Sequence, residues 1–226
     1  MCGRYTLTNP DPAQLRARFD LDPFAELDER PRFNIAPTDP VLAIRAAESG
    51  KREPGTLRWG LLPGKWAVDG GRPLINARAE TIDEQPAFRD SFRLRRCLIP
   101  ADGFYEWRET DAGKQPVWLS RPDSEPFAFA GIWAALEGDD GHSVHSCAIV
   151  TCEPNELVRP IHDRMPVILA PEAERDWISP ELEPPALASL LRPAEEGLLT
   201  VQEVGDAVND VREDGPHLLE PPLKLF

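Results

Sequence analysis

The alternation of apolar and polar positions divides this chain into many short segments, most of them strand-length. Residues 41–44, 56–62, 74–78, 96–100, 104–107, 117–120, 127–135, 146–151 and 165–169 each read as a strand, with later strand or loop elements at 200–204 and Val208. Residues 3–8 alternate in part and predict a strand that anchors the N-terminus. Helical spacing is rarer. After Asn9-Pro10-Asp11-Pro12, a cap and start signal, Leu15 and Phe19 fall on one face of a helix over 13–19. Further helices are expected over 84–92, 154–161 and 171–178, with a Pro-interrupted one within 180–191. Residues 21–32 read as a loop, and Ala101-Asp102-Gly103 and Asp139-Asp140-Gly141 as turns. With no internal repeat and no long linker, the expectation is a single α+β domain over 1–226. Its core is a curved or barrel-like mixed β-sheet flanked by short helices.

Composition narrows the function classes. At 226 residues and 41% hydrophobic, the chain has the material for a sizeable core. It shows no long apolar run and no secretory leader, so no membrane role is expected and cytoplasmic residence follows by default. Cysteines at 2, 97, 147 and 152 lack the paired spacing of a zinc site; Cys97 and Cys147 lie in apolar runs and read as core. No metal and no cofactor are therefore expected; a monomer is expected as well. The net charge is −14, and only four of the 25 basic residues are lysine, a balance resembling proteins of salt-loving organisms. Such a surface argues against a general nucleic-acid coat; any nucleic-acid site must be a local positive patch.

The chemistry begins at Met1-Cys2-Gly3-Arg4-Tyr5. Cysteine is small enough for the methionine before it to be trimmed, which would leave an α-amine and a thiol on adjacent carbons. A terminal amine has a pKa of about 7.7–8.0, so part of it is neutral near pH 7. It can condense with an aldehyde to a Schiff base, and the thiol can close a thiazolidine ring. Other stretches are richer in polar groups than packing requires: Asn76-Ala77-Arg78-Ala79-Glu80, Ala101-Asp102-Gly103-Phe104-Tyr105-Glu106-Trp107 and Ile161-His162-Asp163-Arg164-Met165-Pro166.

Together with Phe33-Asn34-Ile35-Ala36-Pro37, Trp59-Gly60, Pro63, Trp66, Thr151 and Val208-Asn209, this ordered set resembles the SRAP (SOS-response-associated peptidase) domain family of abasic-site processing proteins. Any one motif is weak, but the ordered set spans nearly the whole chain. The resemblance implies capture of abasic sites in single-stranded DNA by Cys2, through a Schiff base and then a thiazolidine, shielding the lesion during the DNA damage response. It implies Glu106 as a catalytic acid, His162 as a second acid/base, and Asn76 as the group that positions the Cys2 amine. Arg4 and Arg78 correspond to phosphate binders, Trp66 and Pro37 to a wedge that stacks on bases, and Thr151 to a hydroxyl near the lesion.

Each residue also has a plainer reading. Glu106 could be an exposed strand residue, His162 could bond a loop carbonyl, Asn76 could cap its own turn, either Arg could sit in a surface salt bridge, and Trp66 could be core. Trp59, Trp107 and Trp133 read as core, and Arg89, Arg93, Arg95 and Arg96 could border a DNA channel or line a solvated helix. Two other functions compete: a terminal-nucleophile peptidase acting on Met1, and a non-enzymatic single-strand binder. Strand scission by β-elimination from the Schiff base is a further side reaction.

Overall fold

The computed structural model describes residues 2–28, 30–47, 49–62, 73–137 and 143–222. In chain order its strands are β1 (Tyr5–Leu7), β2 (Arg32–Ile35), β3 (Pro40–Ala46), β4 (Arg52–Trp59), β5 (Asn76–Arg78), β6 (Arg96–Ala101), β7 (Gly103–Thr110), β8 (Gly113–Ser120), β9 (Phe127–Glu137), β10 (Ser143–Cys152), β11 (Met165–Pro166), β12 (Ile168–Leu169) and β13 (Thr200–Glu203). Five of them close on themselves in the order β10-β4-β3-β6-β9, with β9 pairing back onto β10. The ring is mixed, because β10 runs parallel to β4 and antiparallel to β9. Closure leaves no free edge among these five, which suits strands that are apolar on one face only. An antiparallel sheet, β13-β8-β7-β1-β2, packs against the barrel.

Aromatic side chains join the two layers. Tyr5 of β1 meets Trp59 of β4 edge-on at 5.3 Å and Phe129 of β9 at 5.7 Å; Phe104 of β7 meets Phe129 at 6.1 Å. Such pairs add about 0.5–1.5 kcal/mol each beyond their buried area.

At one end the barrel opens. β9 and β10 pair through Gly131↔Ile149 and then part. The expected single strand over 165–169 fills the gap as two pieces, β11 on β10 and β12 on β9. Between them Val167 donates its N–H to Val150 O at 2.9 Å and accepts from Ala130 N at 2.9 Å. β5 runs parallel to the same stretch of β10, with Asn76 opposite Ile149 and Arg78 opposite Thr151.

The helices α1 (Pro12–Phe19), α2 (Arg89–Leu94), α3 (Pro171–Ile178) and α4 (Pro184–Ser189) are short. In α1 the carboxylate of Asp11 caps Gln14 N at 2.9 Å, and Leu15 and Phe19 are buried as their spacing predicts. The helix expected over 84–92 starts only at Arg89, because Pro86 disfavours helical geometry at Gln85. The helix expected over 154–161 is instead a run of turns. The basic stretch is also largely committed elsewhere. Arg96 is buried and donates to the carbonyls of Phe92, Arg93, Trp177 and Ser179, while Arg93 pairs with Asp83 and Arg89 with Asp90. Trp59 is core, as expected; Trp107 and Trp133 are only half-buried. All four cysteines are buried and free. No helix among the described residues is long and apolar enough to cross a membrane.

Candidate active site

The first residues are held by β1, which lies between β2 and β7 in the register Tyr5↔Phe104 and Thr6↔Gly103. Tyr105 N donates to Arg4 O at 3.0 Å, so the chain before Arg4 runs alongside Glu106. This placement depends on Asp102, a residue that reads from sequence as part of a turn. Its buried carboxylate accepts from Thr6 Oγ1 at 2.6 Å, Thr8 Oγ1 at 2.7 Å, and the backbone N–H groups of Thr8 and Asn9. Gly103 beside it lies under Trp118: a Cβ there would sit 2.2 Å from the indole nitrogen. That indole donates to Thr6 Oγ1 at 3.2 Å, completing the anchor.

Around Cys2 three remote motifs converge. From β5, Asn76 donates Nδ2 to Cys2 O at 2.9 Å, and its Oδ1 is buried with no partner among the described residues. From β7, Glu106 is 2% exposed, not solvated. From the loop after β10, His162 brings Nε2 to 4.0 Å from Glu106 Oε2. The backbone N–H of Arg164 donates to His162 Nδ1 at 3.0 Å, which places the proton of a neutral imidazole on Nε2, facing Glu106. The exposed carboxylate of Asp163 also stands 2.8 Å from Nδ1 and can pair with it once the ring is protonated.

Two of the motifs are tied together by a contact that sequence reading does not reveal. Arg164 makes a bidentate pair with Glu80 at 2.8 and 2.9 Å and donates to Thr151 O at 2.7 Å. The partners are far apart in the chain, and neither motif alone signals the pairing. Thr151 is wholly buried, and its hydroxyl donates to Ala77 O at 3.5 Å. Arg78 is exposed and makes no side-chain hydrogen bond or ion pair among the described residues. Pro37 is half-buried in the turn between β2 and β3. Trp66 lies outside the described residues.

The electrostatics separate the titratable groups by role. Burial pushes the Glu106 carboxyl up to about 7; the charge of Asp163 acts with it and the positive chain terminus against it. Burial also drives the Cys2 thiol far above its ordinary range, and the charge of Glu106 adds to this. Burial lowers the His162 imidazole, again with the positive terminus. Near neutral pH the site therefore holds a neutral thiol, a neutral imidazole and a carboxyl poised to give or take a proton. No cluster of three or more His, Cys, Asp or Glu side chains suited to a metal ion occurs among the described residues.

The model of the SOS response associated peptidase (SRAP) family matches residues 1–211. The chain belongs to the SRAP family. Among its relatives, the abasic site processing protein YoqW of Bacillus subtilis is 41% identical over 97% of this chain and 99% of its own length. The abasic site processing protein YedK of Escherichia coli is 30% identical over 98% and 100%. Among solved structures, a protein from Bacteroides thetaiotaomicron superposes with a TM-score of 0.83 at 26% identity, covering 98% of this chain and all of that one. A phage-related protein from Bordetella bronchiseptica gives a TM-score of 0.72 at 30% identity over 92% and 98%. The SRAP fold of this chain is thus a closed mixed barrel with an added sheet, matching the barrel-like core expected from the strand pattern.

Proposed function

We propose that this SRAP protein captures abasic sites in single-stranded DNA as a covalent adduct of Cys2. Its relatives carry the name abasic site processing protein, and the site assembles the groups such capture requires. The observation that carries the reading is the convergence on Cys2. Asn76 grips its carbonyl at 2.9 Å, and a buried Glu106 with its pKa near 7 stands next to His162.

Once Met1 is removed, the Cys2 amine is the first nucleophile, because burial keeps the thiol protonated. The neutral amine adds to the aldehyde carbon of the opened sugar to give a carbinolamine. Glu106 donates its proton to the departing hydroxyl; water leaves, and an iminium and a carboxylate remain. The thiol sulfur then bonds to the iminium carbon, the C=N electron pair returns to nitrogen, and the thiol proton passes to Glu106. The carboxyl is restored and the net loss is one water. The Oδ1 of Asn76, without a partner among the described residues, can accept from the amine, and His162 can relay protons to the sugar oxygen. Arg4 and Arg78 are the phosphate ligands, since a guanidinium fork matches a phosphodiester.

A single-stranded oligonucleotide with one abasic site, run on a denaturing gel after incubation, tests the reading. The wild type should give a stable adduct and Cys2→Ala none. An adduct of equal yield with Cys2→Ala would refute it. A peptidase acting on the Met1–Cys2 bond would use the same groups. A peptide substrate incubated alongside distinguishes it by cleavage without an adduct.

A further inference from the structure

The stretch over 206–213 takes no part in the chemistry above, yet it is tied to the site. Asn34, buried in β2, donates Nδ2 to the carbonyls of Val208 at 3.3 Å, Asp210 at 3.0 Å and Glu213 at 2.9 Å. This grip presents Asn209, the last residue of a short 3₁₀ turn (Asp206–Asn209). Its Oδ1 accepts the indole N–H of Trp107 at 2.8 Å. Trp107 follows Glu106 on β7, and the guanidinium carbon of Arg4 lies 6.0 Å from its ring centroid. Arg4 in turn has its Nε buried with no hydrogen-bond partner among the described residues.

The sequence of contacts therefore runs from Asn34 through the 206–213 backbone to Asn209, Trp107 and Arg4. An indole with its N–H engaged is held at one ring orientation, and a guanidinium resting over that ring is restrained with it. Restraining a long side chain before DNA arrives removes ordering that binding would otherwise have to impose.

We propose that Asn209 is a positioning residue for DNA binding: by holding the Trp107 ring it aims Arg4 at a phosphate beside the lesion. The inference rests on the single-stranded DNA reading above. Asn209 is exposed, and Asn34 grips the backbone of its turn without using its side chain. Removing that side chain therefore leaves the fold in place and frees only the ring.

The test is a double-mutant cycle on reversible binding to an intact single-stranded oligonucleotide, which offers no aldehyde. Wild type, Asn209→Ala, Arg4→Gln and the double variant are compared by fluorescence anisotropy at low salt. Asn209→Ala should weaken binding about three- to tenfold when Arg4 is present and by less than about 1.5-fold in Arg4→Gln. Trp107→Phe, which keeps a ring but loses the N–H, should match Asn209→Ala. With an abasic oligonucleotide, Asn209→Ala should raise the half-saturating DNA concentration and leave the saturated crosslinking rate unchanged. An equal loss in both backgrounds, no loss in either, or a fall in the saturated rate would overturn the proposal. Failure of the wild type to bind single strands or crosslink abasic ones would instead overturn the DNA reading, and this inference with it.

Discussion

With its pKa raised to about 7, Glu106 is still partly protonated where a terminal amine, at about 7.7–8.0, begins to lose its proton. Adduct formation needs the acid protonated and the amine neutral. The rate should therefore peak between about pH 7 and 8 and fall on both sides, the alkaline fall belonging to Glu106. Glu106→Gln should slow adduct formation by about 10²- to 10⁴-fold and remove that alkaline fall, as a pH–rate profile would show. The same group has a stability consequence of opposite benefit. Its folded pKa stands above the ordinary 4.5, so the folded state holds a proton that the unfolded chain releases between about 4.5 and 7. The stability this contributes is complete below about pH 4.5 and is lost as the pH rises through 7. Glu106→Gln should accordingly melt higher than wild type at pH 8 and differ little at pH 4.5, a difference that differential scanning calorimetry reads directly. A carboxylate exposed to solvent would give neither result.

At the scale of the element, the site depends on how β1 is fixed. Its hydrogen bonds to β7 are few, and the carboxylate of Asp102 supplies much of the rest through Thr6, Thr8 and Asn9. Asp102→Ala would strand these donors, the buried Thr6 hydroxyl among them, and should lower stability by about 2–4 kcal/mol, with adduct formation falling because Cys2 loses its place. Gly103→Ala should do similar harm by displacing Trp118 from Thr6. Denaturant melts of both variants check this. Strands such as Phe127–Glu137 and Ser143–Cys152 were legible because most of each is an apolar run buried in the fold, whereas the mixed segment Arg32–Ile35 was not read as a strand. Their partners were not legible, since pairing between Tyr5 and Phe104 or between Asn76 and Ile149 leaves no local mark. For the same reason Asp102 reads as an ordinary turn residue and Arg96 as a surface cation until tertiary structure shows what each binds. The residues suspected of chemistry, Cys2, Asn76, Glu106 and His162, stood out because their stretches carry more polar groups than packing requires and because the ordered set of motifs resembles the family. The link from Arg164 to Glu80, and from Asn209 to Trp107, joins groups too distant in sequence to suggest one another.

For the molecule as a whole, the notable feature is a body of net charge −14 around a site proposed to hold DNA. Phosphate binding by counterion release weakens linearly with the logarithm of salt, so reversible binding should fall steeply between about 0.1 and 1 M salt. A covalent bond once formed has no such dependence. The yield of adduct at long incubation should therefore decline much less than reversible affinity measured on the same strand, and equal slopes would count against covalent retention. The most direct test of the central claim is the intact mass of the purified protein before and after incubation with an abasic single strand. The account predicts a starting mass without Met1, then a gain equal to the oligonucleotide less one water, absent from Cys2→Ala. A protein that keeps Met1 and still forms the adduct, or an adduct that survives loss of Cys2, would contradict it.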